Sequence, residues 1–372
     1  MSSEELQEAG YTIEPFDAAT DVEEFLALHG HIFDPDHDRE WFAWKYADNP
    51  YVDHLPILVA RERGDLVGAR PFFALDVFVD GQRHLALQPG DTMVHPDHRR
   101  QGLFTRMTEA AIERYTDGEP SCFFNFPNGQ SGPGYLKLGW ERVREKPTYY
   151  RIQDSNAVGL GGDDGSGGAL AGLAGGVAQP LLDGYNRLRA ARLGGGGSDV
   201  TVTRHEDVPA SVLAAIDSEP SSGGIHVARD EQFYEWRFGN PEWEYAAYVA
   251  EVRGGPVAGM IAGTSVGAGE TTTKVTDVTP LPPELDDRVL KALLARLVAD
   301  YADSDVLAAP PILPRSTMRA AGFHGDDRPP LSLQASRTTH VVRTLTGDWT
   351  LDGVDLTDAD SWRLTFAEHD TS

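Results

Sequence analysis

Apolar positions in the first 150 residues follow two periods, one typical of helices and one typical of strands. The helical period, with a capping-box start at Thr20 and Glu23, predicts helices near residues 20–28, 41–44, 102–115 and 133–138. The strand period predicts strands at residues 57–61, 66–73, 76–79, 85–94 and 122–126 and near Tyr149. This order predicts an α+β (mixed α/β) fold, in which a mostly antiparallel mixed sheet is flanked by helices.

The second half of the chain repeats a pattern of the first half. Trp44-Lys45-Tyr46 precedes Asn49-Pro50 and an apolar run, and Trp236-Arg237-Phe238 precedes Asn240-Pro241 and a similar run. Each copy is typical of a helix end, a turn and a strand. The spacing predicts an internal repeat with a period of about 190 residues, and the alternative is chance similarity.

A glycine-rich stretch between residues 159 and 176 separates the two halves, and a short helix is predicted after it over residues 180–193. Ordering glycine costs much backbone entropy, so this stretch is predicted to be a flexible linker. The sequence thus predicts five segments: a disordered N-terminus (1–10), a first domain (11–152), a linker with a short helix (153–198), a second domain of the same fold (199–345) and an acidic tail (346–372) that packs back on the body as an extra strand.

The 58 acidic and 32 basic residues give the chain a net charge of -26, and the acidic residues are spread along the whole sequence. Such a field repels nucleic acids and anionic membranes, so we expect neither as a partner. At high salt, screening removes most of the self-repulsion of an acidic surface. The charge predicts a protein of a halophilic archaeon that works in a salty cytoplasm, and the alternative is an acidic mesophilic protein.

Cys122 is the only cysteine, so the chain can form no intramolecular disulfide and no cysteine-based zinc site. It lies between apolar residues and is predicted to be a core thiol. The acidic N-terminus lacks the apolar run of a signal peptide, and no stretch approaches the roughly 18 apolar residues of a membrane span. These features predict a cytoplasmic protein.

The segment from Val94 to Phe104 joins a predicted strand to a predicted helix and concentrates basic residues and a glycine at the turn. A helix N-terminus offers free backbone amides and the positive end of its dipole to an anion. Gly102 allows a ligand to approach the backbone closely, so a pyrophosphate fits here. The segment lacks the Gly-Lys-Ser/Thr of a Walker A loop and the glycine triplet of a dinucleotide-binding turn.

Arg99-Arg100-Gln101-Gly102-Leu103-Phe104 resembles the signature of the GNAT acetyltransferases, although Phe104 replaces a small residue at its end. A second element follows about 25 residues later at the family's spacing: Asn128, Ser131, Tyr135, Lys137, Gly139 and Trp140. With the internal repeat, the layout is similar to the tandem-GNAT, Eis-like branch of this superfamily. The resemblance implies two tandem GNAT-like domains, of which the first is catalytic.

The resemblance implies that acetyl-CoA is the co-substrate and lies where the strand ending at Val94 parts from the strand at residues 123–126. It implies cofactor contacts from Met93, Val94, Arg99, Arg100, Gln101, Gly102, Leu103, Phe104, Asn125, Asn128 and Ser131. A neutral amine would attack the thioester directly, and Tyr135 would protonate the leaving thiolate. Asp91 is our candidate for the general base, with relay through water as the alternative.

Other interpretations of these residues stay open. Tyr135 is otherwise a partly buried packing residue, and Asp91 is a turn residue after Pro89-Gly90. His95 and His98 have the spacing of metal ligands, but a proline lies between them and no third ligand is evident, so we expect no metal. Trp41, Trp44 and Trp236 are predicted to be packing residues that border the acceptor cleft.

Residues 279–286 of the second half stand where a phosphate loop would lie. Their prolines lack amide donors, and Glu284 and Asp286 repel a pyrophosphate. No glycine or arginine cluster opens the helix predicted over residues 285–301. We therefore expect the second half to have the fold without binding CoA, and to shape the acceptor cleft or a dimer surface.

Together these features predict an acetyl-CoA-dependent N-acetyltransferase that acts on a primary amine of an amino sugar, a small molecule or a protein. The alternative is a non-catalytic acyl-CoA-binding sensor or scaffold. Aminoacyl transfer from tRNA on a related fold is disfavoured by the negative charge. The sequence leaves the acceptor and a homo-oligomeric state open.

Overall fold

Two mixed sheets, one built mainly from each half of the chain, form the centre of the protein. The computed structural model describes residues 10–33, 37–116, 118–129, 131–154, 178–193, 199–216, 223–267, 270–329, 331–333 and 338–370. The glycine-rich stretch of the predicted linker and the N-terminus predicted to be disordered lie outside these residues, apart from Gly10.

The described residues form strands of very different lengths. They are β1 (Tyr11–Pro15), β2 (Ile57–Glu62), β3 (Asp65–Val79), β4 (Gln82–Pro89), β5 (Met93–Val94), β6 (Pro120–Asn125), β7 (Glu141–Lys146), β8 (Tyr149–Ile152), β9 (Val200–His205), β10 (Ile225–Val227), β11 (Glu244–Val252), β12 (Gly255–Gly267), β13 (Glu270–Thr279), β14 (Val306–Ala309), β15 (His324–Gly325), β16 (Thr338–Thr344), β17 (Thr350–Leu351) and β18 (Val354–Asp355).

The strand order of the two sheets confirms the predicted fold class. The first sheet has the order β1–β2–β3–β4–β6–β16–β7, and β5 and β10 also pair with β3. The second has the order β15–β8–β14–β13–β12–β11–β9. In each sheet a single described pairing is parallel, β4 with β6 and β13 with β14, and the other described pairings are antiparallel. The internal repeat therefore appears as two mostly antiparallel mixed sheets.

Helices flank both sheets. They are α1 (Val22–Ile32), α2 (Arg39–Phe42) with a π-helical turn at Ala43–Ala47, α3 (Leu103–Tyr115), α4 (Gly132–Lys137), α5 (Ala178–Leu193), α6 (Ala210–Ile216), α7 (Glu231–Arg237), α8 (Asp287–Asp300) and α9 (Arg315–Ala320). Within the described part of the chain, no helix combines the length and apolar character that crossing a membrane requires.

The two halves exchange strands. β8 follows the first sheet in sequence but pairs with β14 and β15 of the second sheet. In return, β16 comes from the second half and lies between β6 and β7 of the first sheet. The predicted domain boundaries at residues 152 and 345 stay predictions, but neither sheet is complete within them.

Three predicted strands differ from the structure. The strands predicted at residues 66–73 and 76–79 form one strand, β3, because its pairing with β4 runs without interruption from Phe72 to Val79. The strand predicted at residues 85–94 is interrupted between β4 and β5. Asp91 has a φ of 39°, in the left-handed region, and the chain bulges at this point.

The predicted capping box of the first helix is wrong. Helix α1 starts one residue later than that motif requires, with Asp21 at the N-cap position, and no side chain caps it. Thr20 instead donates its hydroxyl proton to Asp21, whose carboxylate also accepts from Arg61. Because the Asp21 carboxylate pairs with Arg61, it does not cap the amides of the helix.

A pair of tryptophans at equivalent positions of the repeat joins the two halves. Trp44 Nε1 donates to the carbonyl oxygen of Trp236 at 2.8 Å, and Trp236 Nε1 donates to the carbonyl oxygen of Trp44 at 2.8 Å. Both side chains are buried, as is Trp41, which confirms their predicted packing role. They belong to an apolar cluster built from both halves, which also holds Cys122 as a core thiol. Burial raises the pKa of this thiol to about 12.

Candidate active site

Strands β4 and β6 pair in parallel and then part. Their pairing ends at Leu87 and Phe123. Beyond this point β6 continues to Asn125 along β16, whereas the other strand bulges and continues as β5 along β3. The strands therefore part, with Met93 and Val94 on one side and Asn125 on the other. We call this opening the first cleft, and cofactor binding in it stays a prediction.

A tight loop leads from β5 into helix α3. Arg100 and Gly102 have φ values of 64° and 74°, and Gly102 is the N-cap residue of the helix. In the residues that the structure describes, no side chain caps this helix end, so its first amides are available to an anion. Arg99 and Arg100 are exposed here, and Arg99 Nε donates to the carbonyl oxygen of Val94 at 3.2 Å. The loop has the charge and the donors that a pyrophosphate needs.

Tyr135 lies on helix α4 and is 3% exposed. Asn125 Nδ2 donates a hydrogen bond to the hydroxyl oxygen of Tyr135 at 2.8 Å. The backbone amide of Phe126 donates to Asn125 Oδ1 at 2.7 Å, which fixes the orientation of the Asn125 amide. Because Asn125 is the donor in its bond to Tyr135, the proton of the Tyr135 hydroxyl is left for another acceptor.

Asn128 and Ser131 lie in the loop between β6 and α4 and contact each other. The backbone amide and the hydroxyl of Ser131 donate to Asn128 Oδ1 at 3.0 and 3.1 Å. These bonds close the turn before α4 and thereby position Tyr135. Direct contacts of Asn128 and Ser131 with a cofactor stay a prediction.

Asp91 is held in an ion pair. Its carboxylate accepts hydrogen bonds from Lys45 Nζ and from the Tyr46 hydroxyl, both at 2.6 Å, and the Lys45 side chain is only 3% exposed. Burial raises the pKa of Asp91, but the Lys45 charge and the two hydrogen bonds outweigh burial and leave this pKa below its usual value. A carboxylate of this kind is a weak base, so the structure argues against Asp91 as the general base. Sequence reasoning missed the partner, although Lys45 is one of only five lysines.

Arg70 is a second residue that sequence reasoning missed. It lies on β3 beside the bulge and is fully buried, and its Nη1 donates to Thr92 Oγ1 at 3.0 Å. Its guanidinium carbon lies 5.0 Å from the ring centroids of both Phe104 and Tyr135. An arginine inside the apolar run of residues 66–75 was the signal that could have found it.

Phe104 links the two helices of the site. Its ring packs against Gly134, where an added Cβ would lie 3.0 Å from the ring, so a larger residue there would push the ring aside. The ring also meets Tyr135 edge to face, at 5.5 Å between centroids. The large side chain that replaces the small residue of the GNAT signature therefore ties α3 to α4.

In the second half, the chain's own tail hydrogen-bonds to β13 beyond the point where β13 and β14 stop pairing. The parallel pairing of β13 with β14 ends at Lys274 and Ala308. Beyond it, the amides of Phe366 and Ala367 donate to the carbonyl oxygen of Thr276 at 3.1 and 2.9 Å. The tail packs back on the body, as predicted, but it does so as a loop with the small β17–β18 hairpin and not as an added strand.

A buried ion cluster fixes this tail. Arg229 Nη2 lies 2.8 Å from Asp277 Oδ1 and 2.7 Å from Glu368 Oε1, and all three side chains are buried. Thr365 donates its hydroxyl proton to Asp277 at 2.9 Å. Burial lowers the pKa of Arg229, but the two carboxylates outweigh it and raise that pKa well above its usual value.

The helix that follows β13 differs from α3 at its N-terminus. The carboxylate of Asp286 accepts a hydrogen bond from the backbone amide of Arg288 at 2.7 Å. The place where a ligand anion would bind is thus taken by a side chain of the protein. Together with the tail, this cap supports the expectation that the second half does not bind CoA.

Comparison with protein families identifies the first cleft. Residues 17–143 match the family model of the acetyltransferase (GNAT) domain. The match includes the parted strands, the loop before α3 and Tyr135. The chain thus contains a GNAT-type N-acetyltransferase domain. No curated protein matches the chain in sequence.

Solved structures with the same fold span both halves. A GCN5-related N-acetyltransferase from Anabaena variabilis is 9% identical, with a TM-score of 0.60 over 90% of this chain and 73% of that one. A GCN5-related N-acetyltransferase from Kribbella flavida is 14% identical, with a TM-score of 0.56 over 91% and 72%. A tandem GNAT protein from the clavulanic acid biosynthesis pathway is 13% identical, with a TM-score of 0.53 over 91% and 99%. These likenesses confirm the tandem GNAT fold, while placement in the Eis-like branch stays a prediction.

Proposed function

We propose that the chain, with its GNAT-type acetyltransferase domain at residues 17–143, transfers an acetyl group from acetyl-CoA to a primary amine in the first cleft. The observation that carries this proposal is the N-terminus of α3. An uncapped helix end lies beside two exposed arginines and a pair of strands that have parted. A diphosphate and a thioester arm need these three features together.

In this proposal the pyrophosphate binds the amides of residues 100–104, and the side chains of Arg99, Arg100 and Gln101 line its approach. A helix N-terminus and guanidinium groups both stabilise phosphate oxygens. The pantetheine arm follows the backbone of Met93 and Val94, where the strands have no partner on the cleft side. Asn125, Asn128 and Ser131 border the other side of the arm.

The amine attacks the thioester carbonyl in its neutral form. The C–N bond forms, the C–S bond breaks, and CoA leaves as a thiolate. Tyr135 gives its hydroxyl proton to this thiolate, since Asn125 does not accept that proton. The proton lost by the amine passes to water, because Asp91 is already engaged by Lys45 and Tyr46.

The acceptor is a primary amine of an amino sugar, a small molecule or a protein. A net charge of -26 attracts a cationic amine at low salt, and this attraction weakens as salt rises. A cytoplasmic location in a halophilic organism fits the same surface and belongs to this proposal.

Calorimetric titration with acetyl-CoA in molar KCl tests the donor site. We expect one site per chain in the unmodified protein and none in Gly102→Glu. A glutamate at this position strains a backbone with a φ of 74° and puts a negative charge where the diphosphate binds. The matched control is Gly254→Glu, which adds the same charge at a φ of 79° in the open turn between β11 and β12.

The outcomes of this titration separate the alternatives. Loss of binding in Gly102→Glu with full binding in Gly254→Glu supports the proposal and justifies a screen of amine acceptors. Binding without transfer to any amine favours a sensor or scaffold. If the unmodified chain binds no acetyl-CoA, the proposed function is wrong, and two sites per chain contradict a silent second half.

A further inference from the structure

Arg70 carries a buried charge without a counter-charge. The side chain is fully buried, and in the part of the chain that the structure describes no carboxylate lies within 4.0 Å of its guanidinium. Its Nε and Nη2 have no hydrogen-bond partner among the described residues. A buried cation without a partner costs free energy, and a negative charge that forms beside it would reduce that cost.

Three aromatic rings surround this guanidinium. Its central carbon lies 5.0 Å from the ring centroids of Phe104 and Tyr135 and 5.6 Å from that of Phe72. Ring faces attract a cation only modestly, and they satisfy neither Nε nor Nη2 as a hydrogen-bond acceptor would. Of the three rings, only that of Tyr135 carries a group able to become an anion.

Neighbouring side chains hold the ring and the hydroxyl of Tyr135 in place. Asn125 donates to its hydroxyl oxygen at 2.8 Å, and its ring packs edge to face on Trp140 at 4.8 Å between centroids. Of the described side chains that contact Tyr135, only Arg70 is charged. A hydrogen-bond donor to the phenolic oxygen and a cation beside the ring both stabilise negative charge that forms on this oxygen during a reaction.

We propose that Arg70 is a positioning residue for Tyr135, whose guanidinium holds the negative charge that forms on the phenolic oxygen when the tyrosine protonates the leaving thiolate. This inference rests on the proposed acetyl transfer. In the step, the O–H bond of Tyr135 breaks and an S–H bond forms on CoA, which leaves a phenolate. Water then returns a proton to the phenolate. The charge on Arg70 is unpaired before the step and paired during it, so its field favours the state that follows proton transfer.

The first test follows the Tyr135 hydroxyl directly, without activity. Tyrosines labelled with 13C at Cζ are titrated by NMR in the unmodified chain, in Arg70→Met and in Arg70→Lys, and Tyr135→Phe assigns the resonance. In Arg70→Met we expect the alkaline midpoint of this resonance to move up, because loss of a nearby positive charge disfavours the phenolate. In Arg70→Lys, which keeps the charge, we expect a smaller move.

The second test is kinetic and compares the same variants with an acetyl-CoA and amine pair that the unmodified chain uses. We expect Arg70→Met to lower kcat about 10- to 1000-fold with little change in the KM for acetyl-CoA, and Arg70→Lys to recover part of the loss. In the Tyr135→Phe background, Arg70→Met should have almost no further effect, because the group that it serves is absent.

Arg237→Met is the control for loss of a buried arginine. Arg237 is also fully buried and packs over the rings of Trp44, Phe73 and Phe238, but it donates to tail carbonyl oxygens away from Tyr135. We expect it to lower stability without moving the Tyr135 resonance.

An unmoved midpoint in a folded Arg70→Met chain overturns the inference, and so do additive kinetic effects of Arg70→Met and Tyr135→Phe. A loss confined to acyl donors that carry a carboxylate also overturns it, since Arg70 then binds the donor itself. Absence of transfer by the unmodified chain defeats the proposed function, while the NMR titration still decides whether Arg70 acts on Tyr135.

Discussion

The two halves of the chain build the same parting of strands but differ at the helix N-terminus beside it. In the first half the strands part beside an uncapped helix whose N-cap is Gly102, with two exposed arginines next to it. The tail contacts the parted strands of both halves, at Gln88 in the first and at Thr276 in the second, but among the described residues only the helix of the second half is capped by a side chain, Asp286. The comparison shows that the fold places a helix N-terminus suited to an anion in both halves. The residue at the N-cap position determines whether that end is open to a ligand, as at Gly102, or occupied by a carboxylate of the protein, as at Asp286.

The two halves also differ in how a buried arginine is paired. Arg70 in the first half is buried without a carboxylate partner, in the part of the chain that the structure describes. Arg229 in the second half has two such partners, Asp277 and Glu368. Removing one partner of a buried ion pair is costly, whereas a buried cation without a counter-charge can stabilise an anion that forms beside it during a reaction.

Breaking the ion cluster of the second half should have the largest effect on stability. Arg229→Met leaves the buried carboxylates Asp277 and Glu368 without their partner, so we expect the free energy of unfolding to fall by about 3–5 kcal/mol. Urea unfolding followed by circular dichroism measures the change. Acetyl-CoA should still bind at one site per chain, since the second cleft lacks a phosphate loop.

Arg296→Met is the matched control, because Arg296 pairs with Asp300 on the surface of α8 and its side chain is 46% exposed. It should cost less than about 1 kcal/mol. Equal losses for the two arginine variants would mean that the buried cluster does not hold the tail in place.

A lysine at the exchanged strands should make stability depend on pH. Lys146 lies on β7 beside β16 and is buried, and its Nζ lies 4.7 Å from the ring centroid of Phe126. Burial lowers the pKa of Lys146 from 10.5 to about 7, against a smaller opposing effect of Glu368. Between these two values the unfolded chain binds this proton and the folded chain releases it, so the free energy of unfolding rises with pH across that window.

The expected rise from Lys146 is about 2 kcal/mol between pH 7 and pH 9, and it should disappear in Lys146→Met. Urea midpoints at the two pH values measure it. Lys137→Met removes an exposed lysine of the same half and should keep the rise. A rise that survives in Lys146→Met contradicts the assignment to this lysine.

Substitutions in the tryptophan pair should have the smallest effect on the free energy of unfolding. They also test whether the two halves contribute equally to the contact between them. Trp44→Phe and Trp236→Phe each remove one indole donor to a buried carbonyl oxygen of the other half, so each should cost about 1 kcal/mol, and the two costs should match. Unfolding by urea compares them, with Trp349→Phe, outside the junction, as the control. Clearly unequal costs would show that the two halves do not share this junction evenly.

Periodicity predicted most strands and helices of the first half, because each has a face that must be buried. It did not predict which sheet a strand joins. β8 and β16 carry ordinary strand patterns, and nothing local in them distinguishes the sheet of their own half from that of the other. The exchange depends on pairing between distant segments, which one sequence does not reveal.

The site shows a similar limit. The loop at Gly102 was predicted from local chemistry and Tyr135 from the family resemblance, and the chemistry at both sites stays a prediction. Arg70 and Lys45 escaped prediction because their roles depend on partners brought together by the fold. Asp91 has the right residue type for a base, but its neighbour Lys45 changes what the carboxylate does.

The late position of β16 in the sequence determines when the first sheet can be completed during synthesis. β6 ends at Asn125, and the strand that covers its edge begins at Thr338, more than 200 residues later. At about 5–20 residues per second, a ribosome needs about 10–40 s to make that stretch. Throughout this time the nascent first sheet exposes an unpaired edge, which is the kind of surface that seeds aggregation. The strong negative charge keeps neighbouring nascent chains apart in that interval, so the acidic composition protects the protein before its fold is complete.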